Sequence, residues 1–99
     1  MRPAVQDPAL LIMISLASGP KHGHAMMRDV EAFSGAHLGP GTLYGALTRL
    51  DDGGLVEPLA PEGRRRPYRL TPAGVTALRA RLGEMRQALS IGLARVAHE

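Results

Sequence analysis

Seven apolar residues near the end of the chain recur at intervals that suit a helix and nothing else. Val75, Leu78, Leu82, Met85, Leu89, Leu93 and Val96 are spaced 3, 4, 3, 4, 4 and 3, close to a coiled-coil seam about three heptads long. Thr71-Pro72 opens it, with threonine as the capping residue and proline at the first helical position. Arg79, Arg81, Glu84 and Arg86 fall off the seam, and Gly83 and Gly92 weaken the helix without erasing the pattern. Over residues 71–98 such a helix extends on the order of 40 Å. The 71 residues before Pro72 cannot build a body broad enough to cover that length. The seam therefore calls for a second copy of the chain. With 99 residues the core is marginal in any case, and pairing is a common remedy.

The residues upstream divide into short elements. Asp7 and Pro8 open a helix over residues 8–17 whose apolar side chains lie on every side, so it is expected to be buried all round. A strand competes for so short a run, but the Asp-Pro start favours helix. Ser18, Gly19 and Pro20 end it. Leu10 and Ile14 on this helix are expected to join the seam at the dimer interface. A second helix spans about residues 24–33, with Met26, Val30 and Phe33 on one apolar face, and Gly35 stops it.

A third helix opens at Pro40 and repeats Leu43, Leu47 and Leu50 at i, i+4, i+7 before the Gly53-Gly54 terminator. Its opposite face carries Gly41, Gly45, Thr48 and Asp52, with Thr42 and Arg49 along one flank and Tyr44 along the other. Residues 55–59 and 64–70 read as two extended segments around Ala60-Pro61-Glu62-Gly63, a turn sequence. Pro58 and Pro67 would break ladder bonding in a central strand, which points to an edge hairpin open to solvent. Tyr68 shares a strand face with Leu70 and is expected in the core. The expected fold is mainly α with a small β-hairpin. It comprises a winged helix-turn-helix over residues 1–71 and a long C-terminal dimerisation helix over residues 72–99.

Twelve basic residues against nine acidic give a formal net charge of +3, too modest to establish a nucleic-acid partner. The distribution says more. Arg64, Arg65, Arg66 and Arg69 place four positive charges within six residues, with no acid among them. Eleven of the twelve basic residues are arginine, a bias that suits phosphates and guanine edges and equally a GC-rich genome. The absence of cysteine excludes a disulfide scaffold, a thiolate zinc site and a cysteine nucleophile.

The longest apolar stretch, residues 9–17 broken by Ser15, is too short to span a bilayer. Arg2 alone does not make a signal peptide. A soluble, cytoplasmic protein with no membrane partner is expected. Catalytic signatures are missing: there is no nucleophile elbow, phosphate loop or metalloprotease helix. Asp51 and Asp52 diverge by about 100° on a helix, so neither an enzyme nor a cofactor is expected. His22 and His24 stand two apart and His37 lies across the helix-turn-helix link. With no acid at ligand spacing beside them, structural or surface roles are expected and no metal.

A short second helix, a compact link and an amphipathic third helix make a helix-turn-helix, and the hairpin supplies a wing. The third helix buries its leucines and turns small and polar groups towards a major groove, where Thr42, Tyr44, Thr48 and Arg49 reach phosphates or base edges. Gly45 removes a side chain where backbone approaches double-stranded DNA most closely. Arg64, Arg65 and Arg66 reach the neighbouring backbone or minor groove, each neutralised phosphate releasing counterions. Tyr44 has a second reading, with its ring packed against the hairpin.

The residues themselves carry a family likeness. Gly19-Pro20-Lys21-His22-Gly23, then Gly39-Pro40-Gly41-Thr42-Leu43-Tyr44 with Leu47, Arg49 and Leu50, then Gly54-Leu55-Val56, resemble the PadR family of bacterial transcriptional regulators. So does the run from Gly63 through Arg64-Arg65-Arg66-Pro67-Tyr68-Arg69-Leu70-Thr71-Pro72 to Ala73-Gly74. The likeness covers roughly residues 8–80 in unbroken order. It implies a homodimer held largely by the C-terminal helix, in the manner of the short subfamily. It further implies repression at palindromic operators, usually relieved by a small molecule or a stress signal. It adds Lys21, His22 and Pro40 to the DNA-facing set. Three positions depart from the family pattern: His24 replaces a common aromatic, Gly39 a common serine cap, and Gly45 a common proline. The chain also lacks tryptophan, which disfavours stacking on flat hydrophobic drugs. Two rival readings are a metal- or ligand-responsive sensor of the same fold and a protein-interaction module built on the C-terminal helix.

Overall fold

In the computed structural model, which describes residues 7–98 and so leaves Arg2 outside, Asp7 starts the first helix, α1 (Pro8–Leu16). Its carboxylate accepts from the backbone N–H of Ala9 at 3.1 Å and Leu10 at 3.4 Å, satisfying donors that the helix itself cannot. As expected, α1 is enclosed on all sides: Leu10, Leu11, Ile12, Met13 and Leu16 are all buried. Around it pack α2 (Gly23–Ser34), α3 (Pro40–Asp52) and the start of α4 (Pro72–Val96). The buried hydroxyl of Ser15 donates to Asp29 Oδ2 at 2.7 Å, so α1 and α2 share a satisfied polar link inside the core.

The hairpin belongs to a larger sheet than the sequence suggests. Strands β1 (Lys21–His22), β2 (Val56–Pro58) and β3 (Pro67–Leu70) form an antiparallel sheet in the order β1-β3-β2. Thus β3 is central, not an edge, despite Pro67. The proline is the first residue of its strand, where a missing N–H removes little from the ladder, and its carbonyl accepts from Leu59 N at 2.8 Å. Lys21 and His22 stand opposite Tyr68 and Pro67. Tyr68 is half-buried and packs on the core, as expected.

In α2 the expected face holds for Met26 and Val30, both fully buried, and fails for Phe33, which is 45% exposed. Ala36 and Leu38, in the link that follows, are buried and supply the apolar surface at that end instead.

The start of α4 is stapled to the end of α3. Thr71 accepts from Gly74 N at 3.0 Å, donates to the Gly54 carbonyl at 2.6 Å, and sends its backbone N–H to the Leu55 carbonyl at 3.1 Å. Gly74 faces that same Leu55 carbonyl so closely that a Cβ would overlap it. Gly74 and Leu78 are buried, so core packing runs across the expected boundary at residue 72. A second tie joins α4 to the start of α1, Arg81 to Asp7 Oδ2 at 3.2 Å. From Arg79 onwards every described residue of α4 is exposed, including Leu89, Leu93 and Val96 at 62–68%. The helix projects from a body that measures 56 × 31 × 20 Å with it included.

Candidate nucleic-acid interface

Pro40 opens α3 behind Gly39, which caps it without a side-chain bond. Leu43, Ala46, Leu47 and Leu50 anchor the helix in the core. That anchoring leaves Pro40, Gly41, Thr42, Tyr44, Thr48 and Arg49 exposed and Gly45 partly so. The hydroxyl of Thr48 donates to the Tyr44 carbonyl one turn back, at 2.9 Å, so its proton is engaged by the helix while its lone pairs stay free. The Arg49 guanidinium lies over Gly45, the nearest group to where a side chain there would begin. The Tyr44 ring, half in solvent, rests against Gly23 at the start of α2.

The wing tip is a tight turn. Glu62 and Arg65 exchange backbone hydrogen bonds of 2.7 and 3.0 Å, and Gly63, at φ 62°, takes the first central position, where hairpin turns ask for a left-handed residue. The turn therefore sits over residues 62–65, slightly later than the expected 60–63. This places Arg64 at the tip and Arg65 at the bridge rather than within a strand. Arg64, Arg65 and Arg66 are exposed. Arg69 is not part of this set, because it pairs across the sheet with Glu57 at 2.6 Å.

Wing and helix face each other across a cleft of about 310 Å³, lined by Tyr44, Arg64, Arg65, Arg66, His22 and Tyr68 together with Gly23 and His24. Among the described residues no carboxylate lines it. The first three arginines of the basic run, the aromatic of α3 and the histidine of β1 thus converge from positions far apart in sequence. His22 sits between two groups: its Nδ1 accepts from Ala25 N at 3.4 Å and caps α2, and its Nε2 is 3.4 Å from Arg65 Nη1. Sequence reasoning had Gly23 only as part of a family motif and expected a structural or surface role for His24. Their adjacency to His22 was the available signal.

Lys21 lies elsewhere. Its ammonium donates to the Ser15 carbonyl, to Ser18 Oγ at 2.6 Å and to the Gly19 carbonyl at 3.5 Å, sealing the C-terminus of α1, where a cation is favoured. The side chain expected at DNA makes a structural bond in this structure. His37 is also apart, 3.2 Å from Glu31. The structure does not bring the three histidines together, and among the described residues no group of three or more His, Asp or Glu converges as a metal site would.

The residues expected at a dimer interface divide by burial. Leu10 and Leu78 are enclosed by their own chain, at 2% and 6% exposure, and offer a partner almost nothing; Ile14 is half-buried. Val75, Leu82, Met85, Leu89, Leu93 and Val96 are exposed along α4. An apolar groove of about 540 Å³, bounded by Leu16, Pro20, Leu70 and Arg79, runs into the Val75 and Leu82 end of this stripe. Among the described residues no helix is long and apolar enough to cross a membrane.

A helix anchored by leucines, a small-residue outer face, a basic wing and a bare long helix together describe a winged helix-turn-helix with an extended C-terminal helix. The model of the PadR-like family of transcriptional regulators matches residues 11–80. The chain belongs to this family. A PadR family transcription regulator from Clostridium difficile, known from its crystal structure, superposes with a TM-score of 0.77 at 25% identity, over 85% of this chain and 92% of that one. Among curated proteins, an uncharacterized 37.1 kDa protein in a Streptomyces fradiae transposon is 53% identical over 68 residues, 69% of this chain. The transcriptional activator GvpE2 of Halobacterium salinarum is 36% identical over 67 residues, 68% of this chain. The matched part of this PadR-like chain spans 20% and 34% of those two relatives.

Proposed function

We propose that this PadR-like protein is a DNA-binding transcriptional regulator that acts as a homodimer. In this reading α3 lies in a major groove, with Thr42, Tyr44, Gly45, Thr48 and Arg49 against DNA, and Arg64, Arg65 and Arg66 grip the neighbouring backbone. The observation that carries it is the carboxylate-free cleft, in which three wing arginines face the outer side of α3. Two such surfaces, held apart by paired α4 helices, would read a palindromic operator and block transcription. A small-molecule effector seated between protomers, where the apolar groove meets the stripe, would change the separation of the two α3 helices. It would shift affinity only by its preference for one arrangement.

Changing Arg66 to alanine tests the grip. Each phosphate charge neutralised contributes about 0.9 to the slope of log affinity against log salt. Arg66→Ala is therefore expected to flatten that slope by about that amount and to weaken specific and scrambled duplexes alike. Unchanged affinity and slope would remove Arg66 from the interface. Repression rather than activation is tested by a reporter driven by the protein's own upstream DNA, whose output is expected to rise when the protein is withdrawn. A second reading, capture of a different protein by the bare face of α4, rests on the same exposed stripe. It predicts a stable monomer in solution.

A further inference from the structure

The bonds around His22 impose a choice. A neutral imidazole offers one acceptor nitrogen and one N–H, whereas a guanidinium and a backbone amide only donate. His22 has such a donor on each side, Ala25 N and Arg65 Nη1, both at 3.4 Å. The ring cannot accept from both. The cap on α2 satisfies a backbone donor that the helix leaves unpaired, so Nδ1 keeps the lone pair and Nε2 carries the hydrogen. That N–H then faces the N–H of Arg65, and two donors facing one another are reconciled by an acceptor that both can reach.

Among the described residues that line the cleft, no anionic group supplies that acceptor; the side chains there with a lone pair to offer are the hydroxyls of Tyr44 and Tyr68 and the imidazole of His24. The groups facing the ring across the cleft are Arg64, Arg65 and Arg66 of the wing, Tyr44 of α3, Tyr68 of β3 and His24 of α2. Lys21, beside His22 on β1, is engaged with the end of α1. Arg65 is held in place by its double backbone bond to Glu62 at the turn. The His22 ring and the Arg65 main chain are therefore set by local structure before any partner arrives, which reduces the ordering cost of binding.

We infer that His22 and Arg65 form a two-donor clamp on one backbone phosphate of DNA, with His22 acting as the neutral Nε2–H tautomer. The clamp rests on the DNA-binding reading above and names a specific grip within it. Arg65 supplies the charge. His22 supplies direction, because its ring is oriented by the α2 cap.

Two measurements test it. A long-range 1H–15N correlation spectrum of the free protein reads the tautomer directly: a protonated Nε2 on His22 is expected, and a protonated Nδ1 would overturn the inference. Binding is then followed by fluorescence anisotropy on the protein's own upstream DNA and on a scrambled duplex. His22→Asn keeps a capping oxygen for α2 but puts no donor at the Nε2 position. It is expected to melt as the wild type does, to lose about tenfold in affinity on both duplexes, and to leave the salt slope unchanged. Arg65→Ala is expected to flatten the slope by about 0.9. Because the two groups hold the same phosphate, the double variant should lose less than the two single losses combined. Wild-type binding with no loss in His22→Asn, or with strictly additive losses, would overturn the clamp and leave the DNA reading standing. A wild type that binds neither duplex would remove both.

Discussion

Gly74 has no room for a side chain. Its Cα faces the Leu55 carbonyl where α4 meets the end of α3, and backbone does not yield as a flexible side chain would. Gly74→Ala is expected to destabilise the fold by about 1–3 kcal/mol, read as a lower urea midpoint at unchanged slope. Lys21 makes an opposite kind of prediction, because the family resemblance places it with the DNA-facing residues. Lys21→Met should lower stability by about 1 kcal/mol while the salt slope of DNA binding stays as it is. A slope flattened by about 0.9 would restore the phosphate role. Asp7 and Thr71 were legible as caps because a short polar side chain before a proline bonds within its own first turn. Lys21 and His22 were not, since their partners are set by how α1 turns into β1 and by where the wing tip comes to rest.

At the scale of elements, α4 does two jobs along its length. Its first two turns belong to the core through Gly74 and Leu78, and the rest carries apolar residues that no group of the described chain covers. Leu78→Ala should therefore cost about 2–5 kcal/mol. By contrast, Leu89→Glu combined with Leu93→Glu should leave the protomer folded and abolish pairing. Analytical ultracentrifugation separates these outcomes, and a double variant that still sediments as a dimer would place the interface elsewhere.

The 3-and-4 spacing of α4 and the leucine face of α3 were readable because each repeats over several turns. Strand β1 was hidden, since two residues carry no period and Lys21-His22 owes its extended form to pairing with β3. Phe33 misled for a related reason. Its spacing fits the face of Met26 and Val30, but α2 ends one residue later and Ala36 and Leu38 occupy the interior there. The position of Pro67 misled as well, because a proline excluded from the middle of a central strand is tolerated at its first residue.

For the whole molecule, the division of surfaces matters more than the net charge of +3. Basic and polar groups gather where α3 meets the wing, and bare apolar groups gather along α4. One recognition helix gives too few contacts for tight operator binding, so in the proposed homodimer the second surface is what would make the first effective. Half-site centres should then lie one helical turn apart or a multiple of it, as the span between paired α3 helices dictates.

The most direct test is fluorescence anisotropy of the purified protein on its own upstream DNA and on a scrambled duplex, at several salt concentrations and with stoichiometry determined. Preference for the upstream DNA at two chains per site, with affinity falling as salt rises, is the predicted result. Absence of binding to either duplex at low salt would contradict the account.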